Sequence, residues 1–137
     1  MAGIHPFRKQ TFRKQERLCN RSLINTLFNR GQHFTIYPVR VYWRTSSQDQ
    51  PFRAQVLIQV QRRHIRLAVN RNLAKRRMRE AYRKNKGLLV DYLDKNDGRL
   101  HFAMVYYGRS ILPYRELEAI IILILQRLTR DYEKSAG

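Results

Sequence analysis

Leu67-Ala-Val-Asn-Arg-Asn-Leu-Ala-Lys-Arg-Arg-Met-Arg-Glu-Ala-Tyr-Arg-Lys-Asn-Lys86 is the stretch on which the reading of this chain turns. From Arg62 to Lys86 there are eleven Lys or Arg residues and one acid, Glu80, a local charge of +10 out of the chain's +18. At 100° per residue, Asn72, Lys75, Arg76, Arg79, Arg83 and Lys86 fall on one side. Ala74, Met78, Ala81, Asn85 and Leu88 fall on the other, with Tyr82 and Leu89 beside them. The pattern predicts an amphipathic helix whose wet face is cationic. Such a face calls for a polyanion.

Outward from this helix, the rest of the chain reads as one α/β sandwich. With 137 residues it is the length of a single domain, long enough to bury a core without disulfides or metals. Residues 20–30 predict a short helix with Leu23, Ile24, Leu27 and Phe28 at helical spacing. Asn20 or Ser22 is its expected cap, and Gly31 closes it. Phe34–Arg44 and Phe52–Gln61 read as two strands joined by the polar turn Thr45–Pro51, an expected antiparallel hairpin. After the basic helix, Leu89–Lys95 continues it or starts another, and Asn96-Asp97-Gly98 is a turn. Leu100–Tyr107 is a third strand. Pro113 opens a last helix, with Glu116 and Glu118 near its positive end and Leu117, Ile120, Ile121, Ile124 and Leu128 as its stripe. The expected order is α-β-β-α-β-α, with the helices packed on one sheet. Residues 1–11 read as a flexible basic lead-in, 12–130 as the domain and 131–137 as a tail.

Composition narrows the function. A pI near 11.1 with clustered charge points to a polyanionic partner. Cys19 is the only cysteine, which fits a reduced, cytoplasmic setting. The first twelve residues hold no run apolar enough for a secretory signal, and the longest strongly apolar run, Ala119–Leu125, is too short to span a bilayer. His5, His33, His64 and His101 have no metal-ligand spacing, and no Walker loop or Gly-x-Ser-x-Gly elbow is present. Asp91, Asp94 and Asp97 read as solvated carboxylates around a turn, with a hydrated Mg²⁺ as the lesser alternative. No catalytic residue or protein metal ligand is therefore expected. Arginine grips phosphate with paired hydrogen bonds, and aromatics beside cations, such as Phe12 by Arg13 and Lys14, or Tyr42 and Trp43 between Arg40 and Arg44, can stack unpaired bases. Strand alternation puts one of Tyr42 and Trp43 in the core and leaves the other free.

The residues Ala68-Val69-x-Arg71-Asn72-x-x-Lys75-Arg76-x-x-Arg79-Glu80-Ala81-Tyr82-Arg83 resemble the signature of the bacterial ribonuclease P protein family. Phe12-x-Lys14-x-Glu16-Arg17-Leu18, Ile24-x-x-Leu27-Phe28-x-x-Gly31 and Ile111-Leu112-Pro113-Tyr114-x-Glu116 are similar to its other segments, so the likeness runs over residues 12–130. Two departures stand out: Leu73 replaces an arginine of the family's Arg-Asn-Arg run, and Arg66-Leu67 replaces a Gly-Asn. The resemblance implies a left-handed β-α-β crossover carrying the basic helix. It also implies a role in removing the 5′ leader of precursor tRNA. Catalysis would belong to the ribonuclease P RNA, with Mg²⁺ bound mainly by RNA and substrate. On this footing Arg71, Asn72, Lys75, Arg76, Arg79 and Arg83 are expected to dock on the catalytic RNA. Phe12, Lys14, Arg17, Phe28, Tyr42 and Trp43 are expected to hold the leader. Ribonuclease P RNA and precursor tRNA are the expected partners, with no obligate protein partner. A ribosomal or other structural RNA-binding protein is the alternative.

Overall fold

Leu100–Tyr106 is buried along its whole length, which marks it as the central strand of the sheet. The computed structural model describes residues 12–46 and 52–136. Along the chain run α1 (Arg21–Arg30), β1 (Gln32–Ile36), β2 (Val39–Thr45), β3 (Ala54–Val60), α2 (Ala68–Asn85), α3 (Gly87–Lys95), β4 (Leu100–Tyr106) and α4 (Tyr114–Ala136). The strand order is β1-β2-β4-β3, with β4 antiparallel to β2 and parallel to β3. This is the expected mixed sandwich.

Two sequence expectations give way here. The single strand Phe34–Arg44 is two strands, folded back at Tyr37-Pro38 so that Ile36 pairs with Val39. Proline has no N–H for a ladder, and it fits the turn rather than a strand interior. Nor do the second and third strands form a hairpin: β4 lies between β2 and β3 and pairs with both. A strand as apolar as Leu-His-Phe-Ala-Met-Val-Tyr is stable only when covered on both faces and both edges, and it takes the centre. Of the expected Thr45–Pro51 turn, residues 47–51 lie outside the described part, as does the lead-in 1–11.

Alternation along the strands sorts the two faces. Val39, Val41, Trp43, Val56, Phe102, Met104 and Tyr106 join Met78 and Tyr82 of α2, Leu93 of α3 and Ile121 of α4 in the main core. On the opposite face Ala103, Tyr42 and Leu57 pack beneath Leu27, Ile24 and Phe28 of α1. Asn20 caps α1, its Oδ1 accepting the Leu23 N–H at 3.1 Å, a bond worth about 1 kcal/mol. Gly31 ends it because a Cβ there would lie 2.4 Å from the Leu27 carbonyl oxygen. Further along, α4 continues through Ala136, and Tyr132 packs against the core, so residues 131–136 are helix rather than tail.

Two devices position α2. The helix lies in the connection between the parallel neighbours β3 and β4. Arg77 anchors it to the segment that leads into α4, its Nη1 donating to the Leu112 carbonyl at 2.7 Å. It ends at Lys86, and α3 sets off at Gly87. That break places Leu88, expected on the apolar face, in solvent at 45% exposure.

Candidate nucleic-acid interface

The apolar side of α2 is Ala74, Met78, Ala81 and Tyr82, all buried, and this rotation exposes Asn72 and Arg76. Lys75, Arg79 and Arg83 are half-buried at the flanks. The expected cationic row exists, but its members are not equivalent. Arg71 folds back, and its Nη1 donates to the carbonyls of Ile65 at 2.9 Å and Arg66 at 2.5 Å. It thereby fastens the loop that enters α2, whose first turn has no side-chain cap. Arg83 is held in a paired bond to Glu80, at 2.9 Å from Nε and 2.8 Å from Nη2. The Arg83 bond holds the Glu80 carboxyl below its ordinary pKa. Lys86, grouped with the cations by periodicity, points inward to Glu16. Leu73, the departure from the family pattern, is half-buried at the edge of the row.

Residues 12–18 form a strap along β3. Gln55 Nε2 donates to the Gln15 carbonyl at 2.9 Å, and the Leu18 N–H donates to the Val56 carbonyl at 2.9 Å. The strap covers an otherwise open sheet edge. It also brings Phe12 and Arg17 to α2. The Phe12 ring meets Tyr82 edge-on at 5.5 Å, and the Arg17 guanidinium lies 5.2 Å from the Phe12 ring centre. Phe12, Arg17, Arg76, Arg79, Glu80 and Arg83 line a shallow cavity of about 350 Å³. Burial, and then the charge of Arg17, lower the Arg79 pKa. Crowded guanidinium groups with one carboxylate among them make a ready phosphate cradle.

On the other face, Phe28 of α1 meets Tyr42 of β2 at 4.7 Å and 67°, and His33 lies 5.9 Å from Tyr42. Both Phe28 and Tyr42 are half-buried. Trp43 is not with them. At 1% exposure it belongs to the opposite core and has no surface to offer a base, so its expected place in the groove is withdrawn. The six-residue groove thus divides. Phe12 and Arg17 stand with α2, Phe28 of α1 packs on Tyr42 at the other face of the sheet, and Lys14 is exposed on the strap.

Some exposed cations noticed in the sequence were not assigned to a site there. Arg40 and Arg44 share the Tyr42 side of β2 and are exposed, as period-two alternation could have indicated. Arg62, Arg63 and Arg66 are exposed in the loop before α2. Two carboxylates of the α3–β4 turn, by contrast, are committed. Arg53 donates to Asp94 at 2.9 Å and to Asp97 at 2.8 Å, closing the turn before β4. No cluster of three or more metal-ligating side chains occurs among the described residues, and no described helix is long and apolar enough to cross a membrane.

Comparison with known proteins finds likeness in both sequence and fold. Residues 12–104 match the family Ribonuclease P. The chain is 36% identical over 123 residues to the ribonuclease P protein component of Porphyromonas gingivalis, covering 90% of each. It is 34% identical over 128 residues to that of Chlorobium phaeobacteroides, covering 85% of this chain and 84% of the relative. Its fold is similar to the RNase P protein of Staphylococcus aureus, with a TM-score of 0.67 at 14% identity over 82% of this chain and 94% of that one. The RNase P protein of Thermotoga maritima gives 0.65 at 21% identity over 81% and 96%.

Proposed function

The chain belongs to the ribonuclease P protein family, and on that premise we propose that it docks on the catalytic RNA of ribonuclease P and holds the 5′ leader of precursor tRNA. The docking surface is the wet side of α2, led by Arg76, Asn72 and Lys75, with Arg79 and Arg83 lining the cradle beside Phe12 and Arg17. Arg71 serves this surface by fixing the start of the helix. The leader lies on the α1 face, against Phe28 and Tyr42.

One observation carries the leader reading. The half-open aromatic pair sits on elements that contain no Asp or Glu: α1, β1, β2, β3 and β4 are all free of acids. An RNA strand laid there meets aromatic rings and cations and no opposing charge. Stacking contributes about 1–3 kcal/mol per base. Because only the precursor carries a leader, that contact favours substrate over product.

Hydrolysis in this reading is the RNA's task. Four of the described carboxylates, Glu16, Glu80, Asp94 and Asp97, are already paired with Lys86, Arg83 and Arg53. The ion is left to RNA and substrate. The protein contributes by neutralising phosphates, which releases counterions and lowers the cation concentration needed for assembly. The test is the ratio of precursor to mature tRNA affinity in a Tyr42→Ala holoenzyme. The ratio is expected to fall about fivefold or more, the equivalent of about 1 kcal/mol. An unchanged ratio overturns the leader assignment.

A further inference from the structure

At the β1–β2 turn a second aromatic cluster stands open. Tyr37 is 66% exposed. A lone exposed tyrosine asks for no explanation, but this one is built in. Its ring meets Tyr107 edge-on at 5.3 Å and 81°. The Arg40 guanidinium lies 5.6 Å from the centre of the Tyr107 ring. The Tyr107 N–H donates to the Pro38 carbonyl at 2.9 Å, which ties the turn to the end of β4. Arg40 has no acidic partner among the described residues, and β1, β2, β4 and the turn carry no acid.

The cluster lies in line with the leader surface. Arg40 and Tyr42 are two residues apart on β2 and so share a side, about 7 Å from each other along the strand. The same alternation places Tyr107 on the side of Ala103, which packs beneath α1. A separation of about 7 Å is twice the rise between stacked bases in one strand, so a strand lying on Tyr42 reaches this cluster within one or two nucleotides.

We propose that Tyr37, Tyr107 and Arg40 form a second stacking station for single-stranded RNA, which takes a nucleobase of the leader beyond those held by Phe28 and Tyr42. The proposal rests on the leader reading above. Tyr37 offers its exposed ring to the base, Tyr107 braces it edge-on, and Arg40 supplies the charge for the adjoining phosphate. Any base can be stacked, so the station reads leader length and not sequence.

The experiment uses the holoenzyme reconstituted with ribonuclease P RNA and precursor tRNAs whose leaders lengthen one nucleotide at a time. Binding relative to mature tRNA is measured for the unmodified protein and for Tyr37→Ala, Tyr37→Phe and Tyr42→Ala. The unmodified protein should gain affinity in two steps as the leader grows. Tyr37→Ala should lose the second step, about fivefold or more, and Tyr37→Phe should keep it. A second step untouched by Tyr37→Ala while Tyr42→Ala weakens every leader would overturn the station and leave the leader groove standing. If Tyr42→Ala also has no effect, the groove fails first and the station with it. A loss in Tyr37→Ala that is the same at every leader length would place Tyr37 elsewhere and likewise overturn the proposal.

Discussion

Lys86 Nζ lies 2.6 and 3.0 Å from the two carboxylate oxygens of Glu16, seventy residues away in sequence. The side chains are 12% and 9% exposed, so the pair closes over almost without water. It ties the strap that carries Phe12 and Arg17 to the joint between α2 and α3. Lys86 is therefore a fastening for the cationic surface and not one of its contacts.

Removing one partner strands the other's charge in a dry site. Lys86→Met is expected to cost about 3 kcal/mol of stability. Combining it with Glu16→Gln should recover part of that loss, because no uncompensated charge then remains. Urea unfolding of the two single variants and the double variant checks this through the coupling energy.

Arg71 and Arg76 are neighbours in the motif but are predicted to act differently. Arg71→Ala removes the bonds to the Ile65 and Arg66 carbonyls and should lower the melting temperature, with weaker RNA binding as a consequence. Arg76→Ala should leave the melting temperature in place, since the side chain is exposed. It should weaken binding to ribonuclease P RNA and reduce the slope of log affinity against log salt by about one phosphate's worth. Thermal scans beside a salt titration separate the two.

Much of this was legible beforehand. The α2 motif carries its own periodicity, so Ala74, Met78 and Tyr82 were readable as core and Arg76 as surface. Asn20 and Gly31 bound α1 through local chemistry that needs no knowledge of the fold. What escaped was set at long range. Nothing local says that β4 inserts between β2 and β3, because strand pairing is decided by which strand most needs cover. Periodicity could not tell that Lys86 turns to Glu16 or that Arg71 folds back on its loop. A wheel gives a residue's direction, not what waits there. Trp43 and Tyr42 alternate by rule, but only the placement of α1 against α2 decided which of them is buried.

The division between those two residues gives a further expectation. Trp43→Ala empties the space of a fully buried indole and should cost about 3–5 kcal/mol. Tyr42→Ala, half-buried, should unfold at lower denaturant only modestly while lowering the precursor preference of the holoenzyme. Equilibrium unfolding run alongside tRNA binding reads both effects.

His101 supplies a pH dependence. It is 7% exposed, and burial, followed by the charge of Arg44, pulls its imidazole below the usual histidine pKa. Unfolding returns it to about 6.5. As pH falls through that value the unfolded chain binds a proton that the native chain refuses, so the unfolded state gains. The His101 contribution is complete above about pH 6.5 and is lost as pH falls toward the lower native value. The melting temperature should decline between pH 7 and pH 5. In His101→Gln that decline should be shallower. Equal slopes would show that other groups set it.

The central claim is that this chain serves a reaction carried out by RNA. Its most direct measurement is the appearance of mature 5′ ends when the purified chain, ribonuclease P RNA and precursor tRNA are mixed at low Mg²⁺, with each component also left out in turn. Cleavage is expected with all three present, far faster than with the RNA lacking the chain, and none with the chain lacking the RNA. Equal cleavage with and without the chain, or cleavage by the chain alone, would contradict the account.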